Sequence, residues 1–105
     1  DKALLFYRKG LEAAGKTGIA GIRFKIAEIL QSLGKLRDAR EEYLKITDLP
    51  IENKGYIVKS LFRLARIYED NKELQESIKM YEKIVLMQVS ESRYAQERID
   101  LLRPK

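Results

Sequence analysis

Ile26-Ala27-Glu28-Ile29-Leu30 returns as Leu64-Ala65-Arg66-Ile67-Tyr68, 38 residues further along the chain. Each copy sets a large apolar residue beside an alanine and a second large residue one helical turn later. A second pattern follows each copy: Ala39-x-x-x-Tyr43-x-x-Ile46 and Ser77-x-x-x-Tyr81-x-x-Ile84, again 38 apart. Ala3-x-x-x-Tyr7-x-x-Gly10 repeats that frame 36 residues before its first full copy. Self-similarity with a period of roughly 20–50 residues marks stacked supersecondary units, none of which can bury its apolar face alone.

Outward from these stretches, apolar residues recur at helical spacing and predict six helices. They cover 1–15 (stripe Leu4, Tyr7, Leu11, Ala14), 19–33 (Ile19, Ile22, Ile26, Ile29, Leu30, Leu33) and 36–48 (Leu36, Ala39, Tyr43, Ile46). Three more cover 55–70 (Ile57, Leu61, Leu64, Ala65, Tyr68), 73–88 (Leu74, Ser77, Ile78, Tyr81, Ile84, Val85) and 92–103 (Ala95, Ile99, Leu102). The run Ile84-Val85-Leu86-Met87 also reads as a strand taken alone; the helical period upstream decides it. Gly34 is placed to close a helix in the left-handed conformation. Pro50 cannot continue one, and Ser92 suits an N-cap. Links this short make neighbouring helices antiparallel.

The pattern resembles the tetratricopeptide repeat family. The first helix of that repeat carries a large, a small and a large residue, matched by Ile26, Ala27, Leu30 and by Leu64, Ala65, Tyr68. The second carries a small residue and an aromatic four later, matched by Ala39 and Tyr43 and by Ser77 and Tyr81. Ile46 and Ile84 fill slots that usually take a small residue, and the extra length over the ~34-residue standard repeat falls in 48–54. The resemblance implies an all-α fold: antiparallel helix pairs stacked in a right-handed superhelix, an α-solenoid of about six helices. It divides the chain, as one domain over 1–105, into the second helix of a preceding repeat (1–18), repeats at 19–50 and 55–89, and a capping helix at 92–103. Ser92-Arg93-Tyr94-Ala95 looks like the start of repeats in bacterial envelope proteins of this family, so the bacterial periplasm or cell envelope stands beside the cytoplasm as compartment.

Composition narrows the chemistry. The 105 residues include no Cys and no His, which removes thiol nucleophiles, disulfides, an imidazole base and the usual zinc ligands. No metal, cofactor or catalytic residue is expected, and the chain reads as a non-enzyme. A net charge of +5 comes from 21 Lys and Arg interspersed with 16 Asp and Glu, the pattern of a solvated helical surface. The stretch from Gly10 through Gly15-Lys16-Thr17 satisfies the phosphate-loop spelling G-x-x-x-x-G-K-[ST]. A nucleotide site would require a strand at 3–6 and a helix opening near Lys16. The helix-forming Leu11-Glu12-Ala13-Ala14 argues instead for a helix ending at Gly15. The carboxylate pairs Glu41-Glu42 and Glu69-Asp70 read as solvated.

In the resembled family the first helix of each repeat lines a concave groove. Those slots hold Gly21, Phe24, Lys25, Glu28 and Gln31 in one repeat and Lys59, Phe62, Arg63, Arg66 and Glu69 in the next. Aromatics beside cations suit a peptide, so Phe24, Glu28, Lys59, Phe62, Arg63 and Arg66 are the candidate partner-binding residues. Phe24 and Phe62 serve equally well as packing between repeats. A peptide-carboxylate clamp of the family wants Lys and Asn where this chain has Phe24 and Glu28, which argues against chaperone-tail binding. The expected function is a protein–protein interaction scaffold or adaptor, a piece of a longer repeat protein binding a protein or peptide. The alternative is a basic helical-repeat nucleic-acid-binding module, suggested by Lys59, Arg63 and Arg66 on one helix face. The N-terminal helix, with Leu4, Leu5, Phe6 and Leu11, carries more apolar side chains than one contact stripe covers and invites self-association.

Overall fold

The computed structural model describes residues 1–15 and 18–104. Among them are six helices and no strand: α1 (Lys2–Ala13), α2 (Ile19–Ser32), α3 (Leu36–Thr47), α4 (Gly55–Asp70), α5 (Leu74–Leu86) and α6 (Ser92–Leu102). The ambiguous run at 84–87 stays helical through Leu86. The residues form two units, Asp1–Ser60 and Leu61–Lys105, so that α4 begins in the first and continues into the second.

Within the first unit, α2 packs against both α1 and its partner α3. Small residues make the closest approach: Ala20, Ala27 and Ala39 are buried, with Ile26, Leu30, Tyr43 and Ile46 filling the space around them. In the second unit Leu64, Ala65, Ser77, Ile78, Tyr81 and Ile84 do the same, and Ala95 and Ile99 of α6 close the layer over α5. Ser77 shows why a hydroxyl is tolerated in a small-residue slot: its Oγ donates to the Ala65 carbonyl at 2.9 Å, so the buried polar atom is satisfied.

Helix ends follow local chemistry. Asp1 caps α1, its carboxylate accepting from the amides of Ala3 and Leu4. Gly34 closes α2 with φ 77°; the amide of Lys35 donates to the Leu30 carbonyl and that of Gly34 to Gln31, a Schellman closure. The same closure recurs 38 residues on, where Glu73 donates to Tyr68 and Lys72 to Glu69, with Lys72 left-handed at φ 65°. Ser92 departs from expectation. It is the first residue of α6 with Glu91 before it as cap, and its hydroxyl donates to the Ile84 carbonyl and accepts from the Val89 amide. It therefore ties α6 to the end of α5 instead of capping a helix.

Three members of the expected apolar stripes, Leu33, Leu36 and Leu74, are exposed. All three stand at helix termini flanking a turn, beyond the reach of the facing helix. Helix α1 buries no residue at all.

Candidate functional site

Both candidate phenylalanines are engaged by the chain itself. In the first unit Phe24 of α2 is buried, its ring edge-on to Tyr43 of α3 at 5.5 Å and tilted against Tyr56 of α4 at 5.6 Å. In the second unit Phe62 of α4 is half-buried, 6.0 Å from Tyr81 of α5 and 5.7 Å from Tyr94 of α6. The two clusters are the same object: each member of one lies 38 positions from its counterpart in the other. A phenylalanine on the first helix of a repeat meets the tyrosine of its second helix and a tyrosine opening the helix after that. Offset and edge-to-face contacts of this kind hold aromatic rings in fixed relation. Of the two roles open to Phe24 and Phe62, the rings are placed for packing between successive helices.

The pairing of Tyr56 with Phe24 and of Tyr94 with Phe62 is not among the sequence expectations, although the 38-residue separation of the two tyrosines is its signal. Both rings are partly exposed. Gly21 explains how Tyr56 lies so close to α2: a Cβ at that position would come within 3.2 Å of the Tyr56 hydroxyl. Lys59 stands over the Tyr56 ring, its ammonium 5.3 Å from the centroid, a cation–π contact at an exposed site.

The polar slots divide in the same way. Gln31 accepts from the Tyr43 hydroxyl at 3.0 Å, and Glu69 accepts from the Tyr81 hydroxyl at 2.7 Å and from the Arg98 guanidinium. Burial, and then the bond to Glu69, push the Tyr81 hydroxyl up to about 12. Glu28 is half-buried and pairs with Lys25 at 3.4 Å. Arg63 is half-buried and Arg66 exposed. Of the six candidates, then, Lys59 and Arg66 present charge to solvent, Glu28 and Arg63 are partly covered, and Phe24 and Phe62 belong to the packing.

Two carboxylates expected to be solvated are not. Glu42 is only 4% exposed and gathers Arg23 at 3.1 Å, Arg8 at 3.5 Å and Lys45 at 3.7 Å, one residue from each of α1, α2 and α3. Glu69 is held by Tyr81 and Arg98. Burial of a charge in this way requires several compensating partners, which a linear reading of Glu41-Glu42 cannot supply. Their neighbours Glu41 and Asp70 are exposed.

The phosphate-loop spelling meets a helix where a loop is needed. Gly10 lies inside α1, and residues 3–6 are helical instead of extended; Lys16 and Thr17 lie outside the described residues. No group of three or more acidic residues among those described is arranged to hold a metal ion. No helix of the described residues is long and apolar enough to cross a membrane.

Residues 58–88 match the family model of the tetratricopeptide repeat. No curated protein and no solved structure gives a significant match to the chain. The match spans α4 and α5, the helices that carry Leu64, Ala65, Tyr68, Ser77 and Tyr81, and the same residue pattern and ring cluster recur one period earlier. Residues 58–88 thus carry a tetratricopeptide repeat, which suggests a protein–protein interaction module.

Proposed function

We propose that this chain is a scaffold or adaptor module that takes a peptide or protein partner on the solvent face of its first-position helices, with no catalytic role of its own. The observation that carries the reading is the division of labour on α4. Its aromatic and small residues serve the fold, while Lys59 and Arg66 stay exposed, with Arg63 one turn from Lys59 on the same helix. Exposed cations on a rigid helix recognise carboxylates, so the partner is acidic or presents a terminal carboxylate. Glu28, paired with Lys25 in the equivalent region of α2, limits the run of positive charge.

Fluorescence anisotropy with labelled peptides tests this. An acidic peptide binds more tightly than a neutral one of equal length, and Arg66→Glu weakens that binding without lowering the melting temperature. A fall in stability with binding retained would assign Arg66 to the fold. Nucleic-acid binding through the same cations would show instead as tight capture of an oligonucleotide with a steep loss of affinity on adding salt. Helix α1 offers a second surface, through which copies of the chain associate.

A further inference from the structure

We infer that this association is heterologous: α1 of one copy seats in the groove between α5 and α6 of another. The inference rests on α1 as a self-association surface and is independent of peptide binding on α4.

Three observations lead to it. First, α1 is a second-position helix by register, since Ala3, Tyr7 and Gly10 stand where α3 has Ala39, Tyr43 and Ile46. In the two complete repeats that tyrosine lies against a phenylalanine of a first-position helix. Among the described residues the ring contact of Tyr7 is with its neighbour Phe6, edge-on at 5.4 Å. Beside it Leu5 is 58% exposed and Phe6 70% exposed, a large apolar face for a helix of 12 residues.

Second, the structure shows what kind of element fills a groove of the α5/α6 type. A second-position helix seats across the preceding helices: α3 reaches both α1 and α2 through Glu42, which binds Arg8 and Arg23, and α5 seats on α4 through Ser77 and Ala65. Helix α6 is a first-position helix by register, with Tyr94 and Ile99 matching Tyr56 and Leu61. Between it and α5 lies an open cavity of about 170 Å³ lined by Glu82, Val85, Leu86, Gln96, Ile99 and Arg103. Leu86 on its wall is 81% exposed.

Third, the charges complement one another. Helix α1 carries Lys2 and Lys9 against the single acid Glu12, its third cation Arg8 being held by Glu42. The polar lining of the groove has Glu82, paired with Arg103, and Gln96, which donates to Asp100 of α6. Apolar contact at the centre with opposite charge at the rim is the ordinary anatomy of a protein interface.

A heterologous contact leaves an unused acceptor groove on one copy of the pair and an unused donor helix on the other, so assembly stays open unless the rotation closes a ring. Sedimentation velocity over a concentration series, with Phe6→Asp and Leu86→Asp variants, tests this. Both side chains are exposed, and equal melting curves establish that the fold is kept. The parent chain sediments faster as concentration rises. Each variant alone is monomeric, because one lacks the donor and the other the acceptor. Their equimolar mixture forms a one-to-one dimer that grows no further, from the intact α1 of the Leu86→Asp chain and the intact groove of the Phe6→Asp chain. A parent that stays monomeric throughout overturns the inference. So does a Leu86→Asp chain that still dimerises, which would mean that α1 pairs with α1, or a mixture that stays monomeric. Peptide binding on α4, read in the same variants, is unchanged by either substitution, so failure of this assembly and failure of the peptide reading are told apart.

Discussion

Arg23 of α2 donates to the buried carboxylate of Glu42 on α3 at 3.1 Å, and 38 residues later the same two positions are Leu61 and Met80, both buried. The second repeat therefore fills with hydrocarbon a slot that the first fills with an ion pair. Replacing a buried pair by apolar residues of similar size is often neutral or stabilising, whereas removing one partner leaves the other uncompensated. Arg23→Leu alone is expected to cost about 1–2 kcal/mol, moderated because Arg8 and Lys45 still face Glu42. The double change Arg23→Leu with Glu42→Met restores the parent stability to within about 1 kcal/mol. Urea denaturation of the four proteins gives the coupling directly, and additive effects would contradict the picture.

Gly34 and Lys72 end equivalent helices in the same left-handed backbone, yet only one is the residue that adopts it without a Cβ penalty. A lysine there costs about 1–2 kcal/mol relative to glycine, partly offset by glycine's greater freedom in the unfolded chain. Lys72→Gly is expected to stabilise the protein by about 0.5–1 kcal/mol, and Gly34→Lys to destabilise it by a similar amount. Thermal unfolding checks both. Lys72 lies at an exposed turn, so the change leaves every packed contact alone.

Phe24 bridges Tyr43 and Tyr56, and its loss affects the packing before any binding surface. Phe24→Ala is expected to cost about 3 kcal/mol, within the range for a buried aromatic. Phe62→Ala costs less because its ring is half-exposed. Chemical denaturation ranks the two. A Phe24→Ala protein of unchanged stability that has lost affinity for an acidic peptide would return the residue to the groove.

The contrast between these residues shows what the sequence makes legible. Helix positions follow from the 3.6-residue period, and the pairing of Ala27 with Ala39 and of Ala65 with Ser77 follows from the 38-residue recurrence, because both are properties of spacing. Phe24 and Phe62 recur at the same period, but periodicity alone does not tell a ring that faces a ligand from one that faces the next helix. That is decided by Tyr56 and Tyr94, one helix further on. Glu42 is harder still. Its burial depends on Arg8, Arg23 and Lys45 converging from three helices, and no local pattern encodes that meeting. Ser92 reads as a helix cap from its neighbours and serves as a tie because the Ile84 carbonyl lies within its reach.

The Tyr81 hydroxyl gives the fold a dependence on alkaline pH. It is buried and donates to Glu69, and desolvation first, then that bond, raise its folded value from 10.0 to about 12. Unfolded, the phenol ionises near 10, so between about 10 and 12 the unfolded chain has released a proton that the folded chain still holds. Stability from this group is therefore complete below pH 10 and is lost as the pH rises through 12. The loss is on the order of 3 kcal/mol, from about 1.4 kcal/mol per unit of separation. Tyr81→Phe removes the titrating proton and the bond together. It is expected to be less stable than the parent by about 1 kcal/mol at neutral pH, and the gap narrows as the parent loses stability above pH 10. The informative quantity is the difference between the two proteins, measured by urea denaturation from pH 8 to pH 12. A difference that stays constant across that range would mean that Tyr81 ionises at the same pH folded and unfolded.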